Sequence, residues 1–140
     1  YFFRDPERYC INDDSYLVSP ADGLITDISE KSGPEELRLE NITFTKISVF
    51  MNVFNCHVNR IPCDGKISEI VYKPGKFLNA SLDKASEHNE RNYIKVINNK
   101  GEEIIIVQIQ CFLYLDLPYD LFQMLLYLLR LFSLELYFWI

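Results

Sequence analysis

Residues 20–28 read Pro-Ala-Asp-Gly-Leu-Ile-Thr-Asp-Ile, and residues 62–70 read Pro-Cys-Asp-Gly-Lys-Ile-Ser-Glu-Ile, so one phrase occurs twice with an offset of 42 residues. In each copy the proline fixes φ, the aspartate bonds back to the backbone, and the glycine supplies a positive φ, as tight turns require. The apolar-polar alternation that follows is typical of a β-strand. Each copy is therefore predicted to be a turn that leads into a strand.

The remainder of residues 1–110 has the same character, with short alternating segments separated by glycine, proline and asparagine. Leucine alternates with charge at 36–40, and residues 80–90 form the one segment that favours a helix. Further strands are predicted at 43–54, 66–72, 93–97 and 103–109, the last two forming a hairpin. The fold class is therefore predicted to be mostly β, a small barrel or sandwich with a duplicated turn-strand unit.

The composition changes abruptly after residue 110. Residues 111–140 contain eleven leucines, no glycine and no lysine, so we predict a boundary between a domain of residues 1–110 and a Leu-rich, helical tail of unrelated character. A membrane-spanning helix is disfavoured, because Arg130 and Glu135 would each cost about 2.5–3.5 kcal/mol near a bilayer centre. The alternatives are an interfacial or buried segment, or residues that never folded with this domain, as a frameshift would produce.

Length, charge and cysteine content limit the class of protein further. A chain of 140 residues suits one domain, and its four cysteines show no regular framework, which favours reduced thiols in a cytosol-facing protein. The net charge of −6 argues against nucleic acid as a partner and against a purely electrostatic attraction to anionic lipid.

Five stretches of residues 1–110, taken together, resemble the phosphatidylserine decarboxylases in their short bacterial form. They are Phe2-Phe3-Arg4-Asp5-Pro6-Glu7-Arg8, Val18-Ser19-Pro20-Ala21-Asp22-Gly23, the run 50–60 around Asn55-Cys56-His57-Val58-Asn59-Arg60, the run 72–80 that begins Tyr72-Lys73-Pro74-Gly75, and the run 82–92 that ends Asn89-Glu90-Arg91-Asn92. The resemblance implies a β-rich fold akin to the swapped-hairpin barrels of lipoyl-type domains.

The same resemblance implies an activity and a location. The family are carboxy-lyases of phospholipid biosynthesis that convert phosphatidylserine to phosphatidylethanolamine at the cytoplasmic face of the bacterial cell membrane, as peripheral proteins. They are made as zymogens and cut themselves at a Gly-Ser junction, which leaves a pyruvoyl group as the cofactor. A carbonyl cofactor suits this chemistry, because decarboxylation needs an electron sink conjugated to the substrate amine.

Two residues match the family's catalytic positions, namely Asp22 in the first turn and His57. The resemblance implies that His57 acts as the base and that Asp22 orients it, which is how a weak serine nucleophile is activated. Each residue also has a purely structural alternative. Asp22 would accept hydrogen bonds from the backbone of its own turn, as Asp64 is expected to do, and His57 would be a half-buried strand residue with a satisfied hydrogen bond. A metal site is disfavoured, since Cys56, His57 and Cys63 lack zinc spacing.

Three basic residues in or near the matched stretches are candidate contacts for the anionic head group: Arg60, Lys73 and Lys76. A phosphodiester needs positive charge, for which arginine offers a two-pronged donor. Solvated surface charge is the equal alternative for each of them, and His88 is predicted to lie on the surface.

The junction from which the family makes its pyruvoyl group does not occur in these residues. There is no Gly-Ser dipeptide, and Ser133 follows Phe132 in the Leu-rich tail. We therefore expect a decarboxylase sequence that is truncated and inactive alone, or else a non-catalytic lipid-binding relative, or a β-chain that needs a separate α-chain partner carrying the pyruvoyl group. In a truncated domain, residues 104–109 would form an apolar edge unless the tail covered it, and solubility would be low.

Overall fold

The computed structural model describes residues 4–11, 13–52, 55–75, 88–111 and 131–138, with backbone alone for residue 111 and for 131–138. Six antiparallel strands form one sheet in the order β1-β2-β6-β5-β4-β3. Their bounds are β1 Leu24–Ser32, β2 Thr43–Phe50, β3 Gly65–Lys73, β4 Arg91–Asn98, β5 Glu103–Cys111 and β6 Leu131–Phe138. The prediction of a mostly β fold is confirmed, and the two copies of the repeated phrase open the strands at the two ends of this order.

Strand β5 lies at the centre of the core. Its residues from Ile104 to Val107 are at most 2% exposed, so both faces of the strand are covered. One face belongs to a cluster of buried side chains from β5, from β4, from β2 and from the segment between β1 and β2. Its members are Leu37, Leu39, Phe44, Tyr93, Ile105, Val107 and Ile109. The other face packs in a smaller cluster with Val96, against which Ala21 and Cys63 of the two repeated turns also pack.

The duplication in sequence is also a duplication in structure. The register of β1 against β2 shifts at residues 25–27, and that of β3 against β4 shifts at residues 67–69, which are the same positions of the two copies. Thr26 and Ser68 lie within the two register shifts, and the hydroxyl group of each donates to a carbonyl oxygen of the neighbouring strand at 3.3 Å. A bulge at the same place in each copy bends both end strands alike.

Backbone crowding requires the two glycines of the repeat. A Cβ atom on Gly23 would lie 2.6 Å from the carbonyl oxygen of Phe50, and one on Gly65 would collide with the carbonyl oxygen of Ile97. The prediction that these glycines supply a positive φ is wrong, because Gly101 is the only glycine with positive φ among the described residues. Glycine is needed at positions 23 and 65 for close approach to the next strand.

The two repeated turns are bonded to each other in a reciprocal way. The N–H of Val18 donates to the carbonyl oxygen of Pro62 at 2.9 Å, and the N–H of Arg60 donates to that of Pro20 at 2.8 Å. Each donor and each acceptor is 42 residues from its counterpart, so a local two-fold relation connects the copies. The turns therefore lie side by side.

Two segments differ from what their sequence patterns favour. Leucine and charge alternate at 36–40, but Glu35–Leu37 form a 3-10 turn that buries Leu37, because Pro34 fixes the preceding φ and the chain must turn back between β1 and β2. The helical prediction for the tail is wrong for residues 131–138, which form β6 between β2 and β5. Pairing with two open strand edges outweighs the helix propensity of leucine there.

The position of β6 also decides between the two expectations for residues 104–109. These residues pair with β4 on one side and β6 on the other, so the tail covers the edge. The unrelated character of residues 111–140 stays a prediction, and the helix expected at 80–90 lies almost wholly outside the described residues. Among the residues that the structure describes, no helix has the length and apolar character needed to cross a membrane.

Candidate functional site

The repeated turns and the N-terminal segment enclose a cleft of 480 Å³. Its walls come from residues 18–22 of the first turn, residues 60–64 of the second, and side chains between residues 8 and 16. Two of the predicted site residues, Asp22 and Arg60, line this cleft. The structure thus brings the first-copy aspartate and the second-copy arginine to one place.

Asp22 is bound by an arginine rather than by its own turn. Nε of Arg8 donates to Oδ1 of Asp22 at 3.2 Å, and Nη2 of Arg8 donates to Oδ2. The bond from Arg8 is the main reason that the pKa of Asp22 is lowered, and the charges of Arg60 and Arg4 act in the same direction. Asp22 is therefore a carboxylate at neutral pH, and it is held by bidentate hydrogen bonds from the guanidinium of Arg8.

His57 is buried, with 5% of its surface exposed. Its Nδ1 lies 3.0 Å from the backbone oxygen of Asn55, and since a carbonyl can only accept, Nδ1 carries the hydrogen and Nε2 carries the lone pair. Burial lowers the pKa of His57, the bond to Asn55 opposes this, and the positive charge of Arg4 adds to the lowering. The imidazole is therefore neutral at neutral pH, with Nε2 as its basic atom.

The two predicted catalytic residues share a neighbourhood but have different hydrogen-bond partners. The tautomer of His57 is set by the carbonyl of Asn55, which is the task that the resemblance assigned to Asp22. The charge of Arg4 lowers the pKa of both side chains. A direct contact between Asp22 and His57 stays a prediction.

A chain of side-chain amides ties the His57 segment to the sheet. Oδ1 of Asn59 accepts from Nε2 of Gln108 at 2.9 Å, and Oε1 of Gln108 accepts from Nδ2 of Asn92 at 3.1 Å. Next to His57, the thiol of the buried Cys56 donates to the carbonyl oxygen of Arg4 at 2.8 Å. These contacts fix the backbone on both sides of the imidazole.

The N-terminal segment crosses both turns and was missed as part of the site. Arg8 binds Asp22, Asp5 forms an ion pair with Arg60, and the carbonyl oxygen of Pro6 accepts from Nη2 of Arg60 at 2.8 Å. The dense charge of Arg4-Asp5-Pro6-Glu7-Arg8, within a stretch that resembles the family, was the available signal. Arg60 is thus already paired inside the cleft.

Lys73, a third predicted head-group contact, is not brought to the cleft. Lys73 is the last residue of β3, whereas the cleft adjoins its first, so about 27 Å of extended strand separates them. Its Nζ instead bonds Oε1 of Glu36 at 2.5 Å. Lys76 lies outside the described residues, and His88 is exposed as predicted.

Comparison with known proteins places these observations in a family. Residues 1–114 match the family model described as phosphatidylserine decarboxylase. A phosphatidylserine decarboxylase proenzyme of Pelagibacter ubique (strain HTCC1062) is 72% identical over 109 residues, which cover 78% of this chain and 51% of the relative. Proenzymes of the same name from Ruegeria pomeroyi and Rickettsia akari are 53% and 50% identical over the same share of this chain, and 50% and 47% of their own lengths are covered.

The chain therefore spans about half the length of the curated relatives that it matches. No solved structure matches it.

Proposed function

This chain belongs to the phosphatidylserine decarboxylase family, and from that membership we propose that it supplies the base-bearing part of an enzyme that converts phosphatidylserine to phosphatidylethanolamine. The enzyme would act in phospholipid biosynthesis at the cytoplasmic face of a bacterial membrane, as a peripheral protein. The observation that carries the proposal is the family match across residues 1–114, which contain a buried, neutral histidine at position 57.

The described side chains suit the proton transfers of such a reaction. Loss of the carboxylate as CO₂ leaves an electron pair on the substrate's α-carbon, and a proton must be delivered there to complete the product. His57 can accept and return a proton at Nε2, since burial holds its neutral form. Asp22 stays charged at neutral pH, and its carboxylate is oriented by Arg8.

The pyruvoyl cofactor that the family implies does not fit these 140 residues. It would form from a serine that follows a glycine, and no Gly-Ser dipeptide is present. Ser133 follows Phe132 and lies within β6, where its backbone pairs with Phe50 and Ile109. Residues other than these would have to supply the group, as an α-chain partner would, and we derive no step through it.

A second candidate is a non-catalytic protein that binds phosphatidylserine at the membrane surface, which the ion-paired charges Asp22 and Arg60 in the cleft would suit. It would keep the cleft and the charged residues Asp22 and Arg60 without turnover. Binding to phosphatidylserine vesicles without conversion of the lipid, in every combination of partners, would favour this candidate over the enzyme.

Co-expression tests the proposed enzyme. The chain would be produced with the half of the Pelagibacter ubique relative that it does not cover, and phosphatidylethanolamine formation would be followed by mass spectrometry of lipids. We expect conversion with the partner and none without it. Intact masses would show whether either chain is cut.

Matched variants test the proposed roles of His57 and Asp22. His57→Gln should lower the rate by about 100-fold or more, the typical contribution of a general acid-base group, while His88→Gln should leave it nearly unchanged. Asp22→Asn should impair the reaction, and Asp64→Asn, at the equivalent position of the second turn, should not. Equal rates for the two histidine variants would contradict the role of His57.

A further inference from the structure

The far end of strands β3 and β4 carries a second group of charged side chains, on the opposite face of the sheet from the amides that hold the His57 segment. Lys73 and Arg91 are direct partners in the register of the two strands. Asn92 belongs to the amide chain, and because successive residues of a strand point to opposite faces, Arg91 points the other way. Like charges placed directly opposite each other are destabilising, so this pairing needs a compensating group.

The compensation that the structure provides is incomplete. Glu36 of the 3-10 turn binds Nζ of Lys73 at 2.5 Å. Its bond raises the pKa of Lys73, whereas the charge of Arg91 acts to lower it. The carboxylate of Glu36 is therefore bonded to Lys73, and it forms no ion pair with Arg91 among the described residues.

Arg91 itself lacks an acceptor. Its side chain is half-buried, its Nε is fully buried and has no hydrogen-bond partner, and its Nη1 reaches only the hydroxyl of Tyr93 at 3.5 Å. The described residues hold no ion pair of Arg91 with a carboxylate, unlike Arg8, Arg60 or Lys73. A buried charged donor without a protein acceptor costs several times more than an ordinary hydrogen bond gains, so an anion bound next to Arg91 would be stabilising.

The backbone holds these cations together rigidly. Gly75 packs its backbone against that of His88, Asn89 and Glu90, so closely that any Cβ atom there would collide with the N–H group of Glu90. Below them, Tyr93 is anchored in the larger core cluster. The donor groups of Lys73, Arg91 and Tyr93 are thus supported by close-packed backbone and by the core.

We propose that Arg91 and Lys73, with the hydroxyl of Tyr93, form an anion site for a phosphate group, separate from the cleft of Asp22. A phosphate offers several acceptor oxygens, which suits two cations and a hydroxyl converging from adjacent strands. Phosphate could arrive as a free ion or as the diester of a lipid head group. The site does not rest on the proposed decarboxylase function.

Titration of the full chain tests the site without any turnover. Inorganic phosphate and glycerophosphoserine would each be added at constant ionic strength, balanced with chloride, and backbone amide shifts of β3 and β4 would be followed by NMR. Saturable shifts at residues 71–73 and 91–93 with both probes would support a site open to head groups, and shifts with phosphate alone would support a site for the free ion. No saturable shift with either probe would overturn the proposal.

Charge variants sharpen the outcome. Arg91→Gln should weaken phosphate binding about tenfold or more, the loss expected for a charge-assisted bond, and Lys73→Gln, at a more exposed position, gives the same test if the first variant does not fold. Glu36→Gln should tighten binding, because it removes the competing carboxylate. Arg38→Gln is the control, since Arg38 is exposed and paired only loosely with Glu69 at 4.0 Å. Unchanged affinity in both Arg91→Gln and Lys73→Gln, or an equal loss in the control, would refute the site.

Discussion

Replacement of Ile105 by alanine should destabilise the fold by about 3–4 kcal/mol. Ile105 is 0% exposed at the centre of β5, where it packs with Tyr93 and Val107. The change removes three carbon atoms, each worth about 0.8 kcal/mol of transfer free energy, and the cavity left in a close-packed core adds to that loss. For a chain of this length the midpoint of thermal unfolding should fall by roughly 10 °C.

The assay is urea unfolding followed by far-UV circular dichroism, with Ile28→Ala as the matched control. Ile28 is 63% exposed on the end strand β1, so the same chemical change there should cost less than about 1 kcal/mol. Equal losses for Ile105→Ala and Ile28→Ala would refute the placement of β5 at the centre of the sheet.

Three further predictions concern ionisation and the tail. Burial places the pKa of His57 below its ordinary 6.5, so the unfolded chain binds a proton there more readily than the folded chain. The contribution of His57 to the free energy of unfolding should therefore be complete above pH 6.5 and fall as the pH drops below it. Urea unfolding at several pH values should show a weaker dependence on pH in His57→Gln. Arg8→Gln should raise the pKa of Asp22, measured on its carboxyl carbon by NMR. It should change the free energy of unfolding little at neutral pH, because water screens a pair that is about two-fifths exposed; an unchanged pKa would contradict the two hydrogen bonds from Arg8 to Asp22. Leu134→Pro should cost about 2–4 kcal/mol and speed hydrogen exchange in β5, since the backbone of residue 134 pairs with both Val49 and Gln108; unaltered exchange would contradict the position of β6.

Local chemistry made most of the strands predictable. The turns before Leu24 and Lys66 and the loop at 98–101 are encoded by neighbouring residues, so the segments that follow were placed to within a few residues. Strand β6 was not predictable in this way. Its leucines favour a helix locally, and the open edges that make it a strand belong to β2 and β5, far away in the chain.

The candidate site also depends on contacts between residues that are distant in the chain. Asp22 and Asp64 occupy the same position of the repeated phrase, so their local sequences alone do not show which of the two binds an arginine. The difference is a tertiary contact, the two-pronged bond from Arg8 to Asp22. Likewise Lys73 stands close to the matched motifs in the chain, but the length of β3 carries it away from the cleft.

The crossed backbone bonds between the two turns have an evolutionary consequence. Because the carbonyl of Pro20 is held by Arg60 and that of Pro62 by Val18, neither turn can change its path without straining the other. Substitutions near position 62 therefore act on the carboxylate at position 22, and natural selection must treat both turns as one unit. Among homologous sequences, changes at these paired positions should covary, and an insertion tolerated in one turn should be accompanied by an adjustment in its counterpart.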